Sequence, residues 1–129
     1  MKKLFISCPM RGRTEENIRN SMTRMYRIAE AVFGEELEVI PSYIEGAAPE
    51  NAKQSVWYLG ESIKKMSDAD YFIGIEYTEA FPGCYIESDV AHHYGIPVFT
   101  VDIRFLMPDA FEIATHYYEH KFESQGATE

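Results

Sequence analysis

The sequence predicts one three-layer α/β domain built on a mostly parallel sheet of four or five strands. Short apolar runs bounded by polar residues alternate with longer stretches whose apolar residues recur at three- and four-residue steps. That is the pattern of strand and helix units whose strands are buried on both faces. The 129 residues fit a single domain with a substantial core. Hydrophobic residues make up 46% of the chain, which places it among globular sequences.

Each element has its own signal. Leu4-Phe5-Ile6 is an apolar run that ends before Pro9 and reads as a buried strand. After the loop Pro9-Met10-Arg11-Gly12-Arg13, Thr14 is a helix cap followed by the acidic Glu15 and Glu16. Ile18, Met22, Met25, Ala29 and Val32 form the apolar stripe of that helix, which Gly34 ends. Leu37–Ile40 reads as the second strand. The connection from Ser42 to Asn51 is longer than such units usually need, so it is a candidate wall for a binding site. Val56, Leu59, Ile63 and Met66 mark a helix over about 52–67, in which Trp57 reads as core. Tyr43 and Tyr58 are aromatic faces on which a base or sugar can stack. Tyr71–Ile75 is the most apolar strand and therefore central. A loop broken by Pro82-Gly83 leads into a helix that carries Glu87 in its first turn and Ile86, Val90, Ala91 and Tyr94 as its inward stripe. Gly95 ends the helix, and Val98–Val101 is a further strand. Residues 104–122 read as an aromatic-rich helix or partner-contact segment and 123–129 as a disordered tail, so the domain spans 1–122. This order matches a flavodoxin-like or Rossmann-like sandwich with right-handed crossovers.

Composition excludes several classes of function. With 12 basic and 21 acidic residues, the net charge of −9 argues against a surface for a nucleic-acid polymer. No span approaches the ~20 apolar residues of a membrane helix, and the run after Lys3 is too short for a signal peptide. With Cys8 and Cys84 as the only cysteines, no disulfide framework is expected and the cytoplasm is the default compartment. No Gly-x-Gly-x-x-Gly follows the first strand, so a dinucleotide cofactor is not expected.

In open α/β sheets, ligands bind beyond the carboxyl ends of the strands. The expected pocket therefore collects Ser7 to Arg13, Asp70 with Glu76 to Gly83, and Glu87. A carboxylate at a helix start is held ionised by the dipole and free N–H groups, which suits a nucleophile as well as simple local stabilisation. Arg11 and Arg13 around Gly12, just ahead of a helix, can cradle an anion or stand as exposed loop arginines. Cys84 near a helix start reads as a packed side chain, with an activated thiol as the other possibility. His116-x-x-Glu119-His120 has metallopeptidase-like spacing but no visible third ligand, so no metal site is assigned.

Asp70, Gly83, Glu87, Ala91 and Gly95-Ile96-Pro97-Val98, together with the opening Lys3-Leu4-Phe5-Ile6-Ser7-Cys8-Pro9-Met10, resemble the nucleoside 2-deoxyribosyltransferase family and its relatives that hydrolyse nucleotide N-glycosidic bonds. The resemblance covers roughly residues 1–102. It implies cleavage of an N-glycosidic bond by attack of Glu87 on the anomeric carbon, with Asp70 or a nearby acid assisting the leaving base. It further implies substrate contacts from Ser7, Pro9, Arg11, Gly12, Arg13, Glu79 and Gly83, a nucleoside or nucleotide as ligand, no cofactor, and a homo-oligomer. The sequence departs from the family at Phe81, where an Asp that grips the sugar is usual, with Glu79 two residues earlier. The alternative to an enzyme is an inactive module of the same fold that binds a nucleotide-like ligand.

Overall fold

A computed structural model describes the backbone of residues 1–127 and the side chains through Lys121. The expected tail at 123–129 has its side chains, and at 128–129 its backbone, outside the described residues. In chain order the elements are β1 (Lys2–Ile6), α1 (Glu15–Phe33), β2 (Leu37–Val39), α2 (Gln54–Met66), β3 (Tyr71–Ile75), α3 (Pro82–His93), β4 (Val98–Val101), α4 (Ile103–Leu106) and α5 (Pro108–Ala127). The four strands form one all-parallel sheet in the order β2-β1-β3-β4.

Side-chain alternation sorts the two layers that flank this sheet. Leu4, Ile6, Ile73 and Ile75 face α1 and α5, where Met25, Ala29, Met107, Ala110 and Ala114 complete the larger core. Phe5 and Phe72 point the other way, onto Met66 of α2 and Ala91 of α3. Their rings stack with centroids 5.6 Å apart. Gly74 belongs to this crowding, because a Cβ there would lie 2.8 Å from Phe72 Cε1.

Helix ends follow local chemistry. Thr14 caps α1 by accepting from Asn17 N at 3.1 Å, and Gly34 closes it in the left-handed region at φ 74°. The expected single helix after β4 is two, because Pro108 cannot continue α4 and instead begins α5. Four stripe positions differ from expectation: Val32, Val56, Ile86 and Tyr94 are exposed. α3 begins at Pro82, so Glu87 lies in its second turn, and Cys84, Glu87 and Ala91 are its buried face.

Among the described residues no helix is long and apolar enough to cross a membrane.

Candidate functional site

The chain runs from β1 outward to β2 and then crosses to β3 on the other side, which opens a crevice beyond the carboxyl ends of β1 and β3. A cavity of about 350 Å³ occupies it, within the range of small-molecule sites. Ser7 continues β1, its N–H donating to the Ile73 carbonyl at 2.9 Å. Two residues beyond Phe5, it shares the face that looks onto α2 and α3. Its Oγ donates to Glu87 Oε1 at 2.7 Å, and Ser62 Oγ of α2 donates to Glu87 Oε2 at 2.5 Å. Thus β1, α2 and α3 jointly fix one carboxylate that is only 8% exposed.

This environment corrects the expected electrostatics of Glu87. In the second turn it lies past the reach of the helix terminus. Burial pushes its carboxyl up from the ordinary 4.5, and the Ser62 and Ser7 hydroxyls pull it partway back. The folded chain therefore holds this proton more tightly than the unfolded one. That contribution to stability is complete below about pH 4.5 and is lost as pH rises through the raised folded value. Glu87→Gln is accordingly expected to raise the unfolding midpoint by a few degrees near pH 7.5, with the gain shrinking toward pH 4. Thermal denaturation at both pH values checks this, and a variant less stable than wild type at pH 7.5 defeats it.

Ser7, Pro9, Arg11, Gly83 and Glu87 line the cavity as expected, with Ser42 and Ile44 of the long connection forming part of its wall. Arg11 Nη2 donates to the Ala80 carbonyl at 2.7 Å, which ties the guanidinium to the rim. Burial pushes the Cys8 and Cys84 thiols up to about 11 and 12, so both are packed side chains rather than nucleophiles.

Four expected site residues lie elsewhere. Asp70 precedes β3, at the amino edge of the sheet, where its carboxylate accepts from Lys3 N at 2.8 Å. Three residues of strand, about 10 Å of rise, separate it from the rung at Ile73 that carries Ser7. It is therefore not brought to Glu87. Arg13 is no anion ligand either, because its side chain is fully buried and its donors are turned inward to Asp109, Ser21, Asn17 and Pro9. Gly12 forms the turn before α1, at φ 78° and against Ile113. Glu79 pairs with Lys121 outside the cavity, an interaction that holds its carboxyl below the usual range.

Sequence reasoning missed Ser62, Ser55, Leu59 and Lys65 as site residues, which line the cavity from α2 together with Tyr58, the aromatic expected at a binding site. A signal existed. Ser55, Leu59 and Ser62 recur at helical spacing along one face, a polar interruption of an otherwise apolar stripe. No family model, curated protein or solved structure matches the chain.

Proposed function

We propose that the protein breaks the N-glycosidic bond of a nucleoside or nucleotide, passing the sugar to water or to a second base through Glu87. One observation carries this reading: a single buried carboxylate on the floor of a cavity at the strand ends, each oxygen anchored by a different serine. A nucleophile needs a fixed trajectory, and two hydroxyl donors on separate elements supply it. As the sugar leaves its base, the carboxylate forms a glycosyl ester, and the serine donors take up the change of charge on its oxygens. Phe5, Tyr58 and Phe81 offer apolar and aromatic surface for the base or the sugar face. The resemblance of residues 1–102 to nucleoside 2-deoxyribosyltransferases supports the same chemistry, and a homo-oligomer belongs to this reading. Because attack requires the ionised form, turnover should rise with pH through the raised Glu87 value.

A second reading, a receptor for the same ligands, is favoured by one observation. Asp70, the expected acid, stands at the far edge of the sheet. Chromatographic detection of free base from a panel of nucleosides and nucleotides, alongside calorimetric binding, separates the two. Base release supports the enzyme; binding without release supports the receptor.

Arg11 is the basic side chain tied to the rim by the β3–α3 loop. If the ligand carries a phosphate, Arg11→Ala should weaken nucleotide binding about 10- to 100-fold, the worth of one charge-assisted hydrogen bond. Nucleoside binding should change little. Equal losses for both ligand types in a titration would remove Arg11 from phosphate recognition.

A further inference from the structure

Cleaving an N-glycosidic bond makes two demands: something must receive the sugar, and something must stabilise the departing base. Among the described residues of one chain, the cavity answers the first alone. Glu87 is the one carboxylate among the described residues that line it, and both its oxygens accept from serines. The other described acids near this end of the sheet lie outside the cavity, Glu76 lining a separate hollow beside Asp102. Glu79 pairs with Lys121 outside the cavity, and Asp102 pairs with Arg104 beyond β4. The remaining proton-bearing groups among the described lining residues are poor acids or are already committed, the Tyr58 phenol being a far weaker acid than a carboxyl. The Cys8 and Cys84 thiols are pushed far above neutrality. Lys65 Nζ donates to the Pro41 and Tyr43 carbonyls, and Arg11 donates to that of Ala80.

A purine or pyrimidine bound through a neutral ring departs as an anion unless it is protonated as the bond breaks, and a placed general acid is worth about 10²–10⁴ in rate. A base with a fixed positive charge on the ring nitrogen that joins the sugar has no such need. It takes the electron pair of the C–N bond, loses its charge and leaves as a neutral molecule.

We infer that this site is built for N-glycosides whose base bears a fixed positive charge, the pyridinium and N-alkylated purinium class. This rests on Glu87 as sugar acceptor, the reading given above. The reaction balances without a co-reactant. Glu87 Oε forms a bond to the anomeric carbon, and the C–N electrons pass to the base. Water then cleaves the ester, Glu87 is restored, and one proton is released per turnover. The surroundings suit such a ligand. Glu87 on the floor draws a cation in, the Arg11 and Lys65 cations of the wall are tied back to the Ala80, Pro41 and Tyr43 carbonyls, and Tyr58 is an aromatic side chain of the kind that stabilises a flat cationic ring.

The test compares the full chain on nicotinamide riboside, its 5′-phosphate and 7-methylguanosine with adenosine, inosine, uridine and their 5′-phosphates, each rate taken relative to the uncatalysed reaction. The expected result is a kcat/KM at least 100-fold greater for the cationic bases and, for nicotinamide riboside, a pH profile that rises through one ionisation and then stays level. Comparable turnover of neutral bases, abolished by Glu87→Gln, overturns this inference and leaves the parent reading standing. A bell-shaped profile for nicotinamide riboside, whose ring does not titrate, also overturns it, because the falling limb then reports a general acid. No release from either class overturns both.

Discussion

Glu87→Gln is expected to lower base release by about 10³-fold or more while ligand affinity stays within a few-fold. Gln fills the same volume and keeps one carbonyl oxygen for a serine donor, so the floor of the cavity retains its shape between Ser7 and Ser62. An amide cannot form the glycosyl ester, so the loss falls on kcat and not on binding. The same substitution removes a buried charge, and the variant should be the more stable protein at neutral pH. Lost activity beside gained stability is the signature of a residue kept for chemistry. Turnover that survives the change nearly intact would take Glu87 out of the mechanism. Equal loss of binding and rate would make it a ligand contact.

Arg13→Ala is expected to cost about 3–5 kcal/mol of folding stability. The guanidinium is fully buried. Nε and Nη2 donate to the two carboxylate oxygens of Asp109 at 2.7 and 3.1 Å. Nη2 also donates to Ser21 Oγ at 2.6 Å, and Nη1 donates to the Pro9 carbonyl at 2.9 Å. One side chain thus joins the loop after β1, helix α1 and the start of α5. Its removal leaves Asp109, whose carboxyl Arg13 holds below the usual range, without its counter-charge. Arg13→Lys keeps the charge and loses the fork, so it should recover only part of the loss. Urea denaturation with an unchanged slope and a lower midpoint is the expected record. A loss under about 1 kcal/mol would mean that the pair is not integral to the fold.

Much of the architecture was legible because strand signals are local. Tyr71–Ile75 and Val98–Val101 are apolar runs whose polar and proline borders coincide with the strand ends. The place of Glu87 at the strand ends was legible, yet its surroundings were not. Its burial and its Ser62 partner depend on how α2 packs beside α3. The Arg13 error has the same origin, since Asp109 lies 96 residues away and nothing near Arg13 announces it. Asp70 is different. It opens its strand, and sites form at the other end, so strand direction alone opposed its assignment to the cavity.

The sheet ends, on the side of β2, in a strand of only three residues, Leu37–Val39. Exposed Glu35 and Glu36 precede it, and exposed Glu38 lies within it. An incoming chain would find a short hydrogen-bonding ladder there, and a second copy of this protein would bring the same negative charges to it. Strand addition is therefore disfavoured at this border. The protein is guarded on that side against growing into an extended β-assembly.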